Sequence, residues 1–305
     1  MRLADSTLSR ITASLRAEGL WLQLSPFVVS IRSDAPGLAD VLLQMYADFS
    51  VAEPGSFADF HIELRRARGL RRWIRPQVDF HFDGMPTFHP LPLDQAYPML
   101  EWGLNWCIAS HAHQFLIIHA AVIERGGRAV IMPAPPGSGK STLCAALVNR
   151  GWRLLSDELA LLAVDTGQLV PLARPINLKN RSIEIIRRFV PECVMTSPVH
   201  DTRKGMVALM RPPADSVRRI DEVAVPAWVV FPKYLPDTPA TFLPFSKGQT
   251  CLRVAQESFN YDIHGRRGFE IITRMIDGCD CYEFSYGDLE DAMQAFDSLA
   301  ASTSD

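Results

Sequence analysis

Ala134-Pro135-Pro136-Gly137-Ser138-Gly139-Lys140-Ser141 stands between two apolar runs, Ala129-Val130-Ile131-Met132 before it and Leu143, Ala146 and Leu147 after it. The first run reads as a buried strand and the spacing of the second as a helix, so the eight residues form a strand-to-helix turn. Glycines let backbone N–H groups curl around phosphates, a lysine neutralises the outer phosphate oxygens, and the next hydroxyl holds magnesium. Gly137, Gly139, Lys140 and Ser141 supply these parts, and Pro136, Ser138 and Thr142 complete the candidate lining. A helix starting at Ser141 adds the partial positive charge of its N-terminus. The stretch therefore predicts a nucleoside triphosphate site that uses Mg2+. Ala134 stands where such loops usually begin with glycine, and Pro135-Pro136 stiffens the entrance.

Downstream, the spacing predicts a helix over 141–150 ended by Gly151, then an apolar strand over 153–164 interrupted by Ser156-Asp157-Glu158. One helix and one returning strand bring Asp157 and Glu158 back beside the loop. One carboxylate can orient or deprotonate an attacking hydroxyl while the other helps to hold magnesium. A solvated strand end is the plain alternative, but Leu154-Leu155 and Leu159-Ala160-Leu161-Leu162 around the pair are apolar. Asn177-Leu178-Lys179-Asn180 does not match the Asn-Lys-x-Asp of guanine recognition, and Asp157-Glu158-Leu159-Ala160 is not a GTPase switch. A transport-ATPase signature is absent, and about 130 residues precede the loop, unlike most small-metabolite kinases. Arg174, Asn177, Lys179 and Lys204 read equally as surface polar groups or as groups reaching the triphosphate or the acceptor, where cations stabilise a transferring phosphoryl group. Ser258 and Asn260, in Glu257-Ser258-Phe259-Asn260, read first as part of a turn, with a place in the site as the alternative.

Upstream, helical spacing runs over 5–18, with Leu8, Ile11 and Leu15 on one face, and a strand is expected over 26–31. A helix over 35–49 with Asp34 as N-cap follows, then strands over 57–64 and 73–82, the latter closed by an Asp83-Gly84 turn. Residues 1–90 are therefore expected to form a small N-terminal α/β unit, and 91–305 the main domain. A proline-rich connection (Pro86, Pro90, Pro92, Pro98) leads to a helix over 100–113. Phe115–Glu124 and Arg128–Pro133 read as a hairpin turned at Gly126-Gly127, and further helices are expected over 182–189 and 288–300.

With 48% hydrophobic and 21% charged residues in 305, the chain is ordinary globular material, one or two domains at roughly 150 residues each. A net charge of −3 offers no field that would draw it onto nucleic acid or an anionic membrane. The arginine run 65–75 reads as a solvated hairpin, with docking of an acidic protein or peptide as the alternative. No apolar leader and no run long enough to span a bilayer is visible. Six scattered cysteines, none at zinc-like spacing, read as reduced thiols of a cytoplasmic protein. His111, His113 and His119 lack the further ligand a metal site needs.

His119-Ala-Ala-Val-Ile-Glu124, Pro135-Pro-Gly-Ser-Gly-Lys-Ser-Thr142 and Gly151-Trp-Arg-Leu-Leu-Ser-Asp-Glu158 together resemble the core of the HPr kinase/phosphorylase family. Within it, the sequence is most similar to HPr kinase-related proteins found beside peptide-modification genes. The resemblance is strongest over 115–165 and continues through 174–180, 201–205 and Phe231-Pro232, whereas residues 1–90 do not resemble the N-terminal domain of true HPr kinases. It implies an α/β P-loop kinase domain related to phosphoenolpyruvate carboxykinase, assembled as oligomers. It implies ATP and Mg2+ as cofactors, and a hydroxyl acceptor, a serine first, on a small protein, peptide or small molecule. Asp157 matches the family's catalytic aspartate and His119 its histidine. Lys140 and Ser141 match the phosphate and magnesium residues. Glu158 stands where the family has a second aspartate, which puts its share in magnesium binding in question.

Overall fold

The structure is a computed structural model of the 305-residue chain and describes residues 1–135 and 137–302. Among the described residues the backbone forms three sheets with helices packed against them, a mixed α/β architecture.

The N-terminal sheet begins after α1 (Leu8–Arg16), which the Thr7 hydroxyl caps by accepting from the Arg10 N–H. Ile11 and Leu15 are buried, whereas Leu8, expected on the same face, is exposed. β1 (Leu20–Gln23) and β2 (Val28–Ser33) pair antiparallel. α2 (Leu38–Met45) then crosses to β3 (Phe60–Arg66), which lies parallel to β2. Asp34 is not the cap of α2; Gly37 precedes the helix in a left-handed conformation, and the Asp34 carboxylate accepts from the Arg66 N–H instead. β4 (Gln77–Phe82) turns at Asp83-Gly84 into β5 (Met85–Pro86), and β6 (Leu91–Pro92) returns beside β4. The strand expected from 73 starts later, because Gly69–Arg72 forms a short 3-10 turn and Arg75 has a positive φ.

α3 (Ala96–His111) begins four residues before its expected start, since Pro98 falls in the first turn, where a missing N–H costs nothing. It packs on the N-terminal sheet at Gly103, where an added Cβ would lie 2.0 Å from the Phe80 ring. Any side chain there would push the helix off the sheet.

The central sheet is built around β7 (Phe115–Arg125), which reads as a continuous apolar run because both its faces are buried. Phe115 and Ile117 enter the core shared with the N-terminal sheet, and Ala121 and Ile123 enter the core under the next helix. Leu116, Ile118, Ala120 and Val122 face a third core on the opposite side. β8 (Arg128–Pro133) pairs antiparallel with β7, and α4 (Lys140–Val148) follows the loop. β9 (Arg153–Ser156) and β10 (Leu159–Ala163) return along β7 with Ser156 opposite Val122 and Leu159 opposite His119, so Asp157-Glu158 is a gap in one returning line. The short β11 (Leu169–Val170) closes that edge.

β12 (Ile176–Lys179), α5 (Arg181–Phe189), β13 (Val199–Thr202) and β14 (Gly205–Met210) form a three-stranded sheet and its helix. After α6 (Ala214–Arg218), β15 (Val225–Tyr234) re-enters the central sheet parallel to β8. β16 (Thr241–Pro244), α7 (Lys247–Gln256), α8 (Tyr261–His264) and α9 (Arg266–Asp277) lead to β17 (Asp280–Tyr286), parallel to β15. α10 (Leu289–Ala301) starts at Asp288, whose carboxylate caps it. All six cysteines are free thiols. No described helix is long and apolar enough to cross a membrane.

Candidate functional site

β8, β15 and β17 run parallel, so their carboxyl ends open on one side of the sheet, the usual place for a ligand in such a layer. The loop after β8 lies there, opposite Tyr234 and Tyr286, which are register partners at the ends of β15 and β17. The Tyr234 N–H donates to the Ser138 carbonyl at 3.0 Å, and the Tyr286 hydroxyl donates to the Gly139 carbonyl at 3.2 Å. The loop is thus tied to the strand ends by two long-range bonds. Gly139 has φ 92°, and a Cβ there would meet the Tyr286 hydroxyl oxygen at 2.6 Å. Only glycine meets both conditions.

α4 starts on Gly139 with no N-cap side chain, and its first N–H, of Lys140, has only a long 3.4 Å bond to the Ser138 Oγ, so an anion can take these N–H groups. Lys140, its first residue, is 7% exposed, and its Nζ has no hydrogen-bond partner. Burial depresses the lysine's pKa, against the opposing pull of Asp157, Glu158 and Glu257. A buried ammonium without a partner is costly, and an anionic ligand would relieve it.

A cavity of about 470 Å³ opens over the loop, walled by Gly137 to Thr142, His119, Glu158, Asn177, Lys179 and the two tyrosines. Asp157 lies beneath it, 4% exposed. Its Oδ2 accepts the Asn177 N–H at 3.2 Å while Oδ1 has no partner. Burial first, and the neighbouring Glu158 charge second, push the Asp157 carboxyl up to about 6, against the pull of Lys140 and Lys179. Burial also acts to raise Glu158, but Lys179, Lys204, Lys140 and His119 outweigh it, and its carboxyl sits below the ordinary value. Lys179 Nζ stands 3.5 Å from Glu158 Oε1. The two adjacent carboxyls are driven apart, a pattern in which one can act as a proton acceptor near neutral pH while the other stays ionised. The Ser156 hydroxyl accepts the Leu159 N–H at 3.0 Å, satisfying a donor freed by the strand break.

His119 shares its face of β7 with Ile117 and Ala121, at the seam between two cores, and so reaches the cavity. Its Nδ1 lies 3.2 Å from Glu257 Oε2, and its ring meets Phe259 at 5.7 Å. Burial and the Lys140 charge lower its pKa, against Glu158 and Glu257, which favours the neutral ring. Asn260 is structural: its side chain accepts from the Ile117 N–H and donates to the Phe115 carbonyl, and Ser258 bonds back to the Val254 carbonyl.

Of the polar candidates, Asn177 and Lys179 line the cavity. Arg174 is turned away from it into a buried cluster, where it pairs with Glu101 at 3.3 Å and with Asn105, and Tyr46 donates to Glu101. Lys204, at the tip between β13 and β14, lies over the Trp102 ring at 5.2 Å and acts on Glu158 through its charge. Pro136 lies outside the described residues. The sequence reading missed Tyr234, Tyr286 and Glu257. The tyrosines end apolar runs, and Glu257 stood in the quoted turn, but nothing local marks their partners.

The sequence matches the family described as "ScmC: SynChlorMet cassette protein ScmC" over residues 99–175. That span runs from within α3 through the β7–β8 hairpin, the loop, α4 and Asp157-Glu158. No curated protein matches the sequence. Among solved structures, the Hpr(Ser) kinase/phosphatase from Coxiella burnetii aligns over 61% of this chain and 98% of its own, at 12% identity and a TM-score of 0.25.

Proposed function

We propose that the chain is an ATP-dependent kinase of the P-loop type that passes the γ-phosphate to a hydroxyl, a serine first, of a peptide, small protein or small molecule. The observation that carries this reading is a pair of buried, oppositely charged side chains that feel each other's charge and each keep an unpartnered atom: Lys140 Nζ, at the start of a helix with no N-cap side chain, and Asp157 Oδ1. Lys140 and the α4 N–H groups bind the phosphates. Asp157 takes the proton of the acceptor hydroxyl as its oxygen attacks the γ-phosphorus. The bond from that phosphorus to the β–γ bridging oxygen then breaks, and ADP leaves with the electron pair.

The donor set also fits magnesium. No group of three or more His, Cys, Asp and Glu side chains among the described residues could hold an ion, but Mg2+ on a nucleotide needs only one or two protein ligands beside phosphates and water. Ser141 and Glu158 would supply them, and a bound ion would neutralise charge on the phosphates. His119, held by Glu257, orients groups at the same wall. An N-terminal unit over 1–90 and assembly as an oligomer belong to the same proposal, as does a cytoplasmic setting. The description of the matched family as a cassette protein agrees with an acceptor made alongside it.

The test is transfer from γ-labelled ATP to candidate acceptors by the wild type and Asp157→Asn. Loss of a proton acceptor costs about 10²–10⁴-fold. Transfer by Asp157→Asn at the wild-type rate would remove that residue from the mechanism. A second reading, an ATP-binding module or ATPase that handles a peptide without phosphorylating it, is favoured by Glu158 standing where an aspartate is expected. ATP binding with no phosphoproduct on any acceptor would select it.

A further inference from the structure

A second cavity, of about 620 Å³, shares no wall residue with the candidate phosphate site. Its walls are Phe88, Met99, Trp102 and Trp106, with Arg203 and Lys204 at one side. Phe88 and Trp106 meet edge to face at 5.6 Å, and Phe82 and His111 back Trp106. The aromatic wall is therefore braced from behind, although Trp106 remains 37% exposed and Phe88 36% exposed. An open apolar recess of this kind marks a binding site more often than a bare surface.

Three features specify what would enter. The rings of Trp102, Trp106 and Phe88 present edges and faces to a further aromatic ring. Trp102 contributes its ring to the wall, while its indole Nε1 is buried and without a hydrogen-bond partner. Arg203 and Lys204 are exposed at the hairpin tip, with Lys204 Nζ only 5.2 Å from the Trp102 ring centroid. A carboxylate at the two cations would thus lie within one residue of a ring against the tryptophans.

The same hairpin joins the two cavities. β14 is paired with β12, which carries Asn177 and Lys179 into the phosphate cavity, while the β13–β14 tip puts Lys204 on the aromatic one. Lys204 also acts on Glu158 through its charge. The β13–β14 tip therefore links the aromatic cavity to Glu158 through Lys204.

We infer that this cavity is the acceptor subsite, and that it takes an aromatic residue of a peptide with a carboxylate beside that residue, either its own C-terminal one or that of a following acidic side chain. Its role as an acceptor subsite rests on the kinase reading; its affinity for such a peptide does not.

The test is calorimetric titration of the full chain with four probes: Ac-Gly-Ser-Gly-Trp-OH, the same peptide with C-terminal Ala, its C-terminal Trp amide, and Ac-Gly-Ser-Gly-Trp-Glu-NH2. A fluorescent ATP analogue is titrated in parallel. The Trp acid binds at least about tenfold tighter than the Ala acid, as expected for burying a large ring. The Trp amide is weaker, and the Trp-Glu amide regains affinity only if a following side chain can supply the carboxylate. Trp106→Ala erases the Trp-over-Ala preference and leaves the Ala probe unchanged. Arg203→Glu weakens the acid more than the amide, and both variants bind the ATP analogue like the wild type. Equal binding of the Trp and Ala acids, equal losses of both in Trp106→Ala, or no binding of any probe overturns the inference. Failure of the ATP analogue alone, with the probes still discriminated, leaves the subsite standing and removes the kinase reading.

Discussion

Gly139→Ala is the most informative perturbation of the loop. The residue sits at φ 92°, outside the comfortable range of an L-residue, and alanine in a left-handed conformation costs roughly 1–2 kcal/mol. Its Cβ would also stand 2.6 Å from the Tyr286 hydroxyl oxygen and 3.1 Å from Tyr234 Cβ. The tyrosine cannot swing aside freely, because its ring is stacked on Phe284 at 5.6 Å and 17° and meets Tyr234 at 5.7 Å. The loop must yield instead, and it is the loop that aims the N–H groups. ATP affinity should therefore fall by about tenfold or more, since 1.4 kcal/mol is one decade. Tyr286→Phe alone removes the hydrogen bond to the Gly139 carbonyl and costs about 1 kcal/mol of stability, with a small effect on binding. In the double variant the 2.6 Å contact is gone and the 3.5 Å approach of the ring carbon is ordinary, while the tight 3.1 Å approach to Tyr234 Cβ remains. The double variant should regain part of the affinity and keep the loss due to φ and to the Tyr234 contact, giving a coupling of about 0.5–3 kcal/mol. Titration with a fluorescent ATP analogue and urea unfolding of the four proteins complete the cycle. Wild-type affinity in Gly139→Ala, or additive losses in the double variant, would refute the account of how the loop is held.

Transfer should rise with pH through about 6, because the base form of Asp157 appears as its raised carboxyl ionises. In Glu158→Gln the like charge is gone, so the acid limb of the profile should move to lower pH, though not fully, since burial is the larger cause. A limb that stays in place would exclude the carboxyl pair as its origin. Folding stability carries the opposite sign: the folded state holds the Asp157 proton more tightly than the unfolded chain. This carboxyl therefore costs stability as pH rises from about 4 to about 6, and Asp157→Asn should flatten that part of a urea-midpoint profile. Arg174→Ala leaves the Glu101 carboxylate buried without its cation and should destabilise the fold by about 3–5 kcal/mol. A changed ATP affinity with an unchanged unfolding midpoint would instead return Arg174 to the nucleotide site.

The elements nearest the loop were legible in the sequence because their causes are local. The β7–β8 hairpin follows from two apolar runs around Gly126-Gly127, and the paired register from Ala120↔Pro133 to Arg125↔Arg128 agrees with it. The break at Asp157-Glu158 shows as two charges within an apolar run, and the return distance over one helix and one strand is set by chain geometry. Helix ends were less legible. Asp34 looks like a cap in sequence, but the Arg66 N–H from a strand 32 residues away takes its carboxylate. Leu8 fits the stripe of α1, yet it stays exposed.

The sequence by itself determined the loop proposed to bind phosphate, since glycines, lysine and hydroxyl act through backbone shape and spacing over eight residues. Only the tertiary structure decided which distant groups complete the site. Arg174 and Lys179 are five residues apart and alike in charge, but β12 carries Lys179 to the cavity while Arg174 is consumed by Glu101 of α3. Tyr234 and Tyr286 close the loop because two parallel strands end in register. His119 meets Glu257 because the turn after α7 returns to β7. These partners are set by sheet pairing and helix packing over tens to hundreds of residues, and no local pattern encodes them.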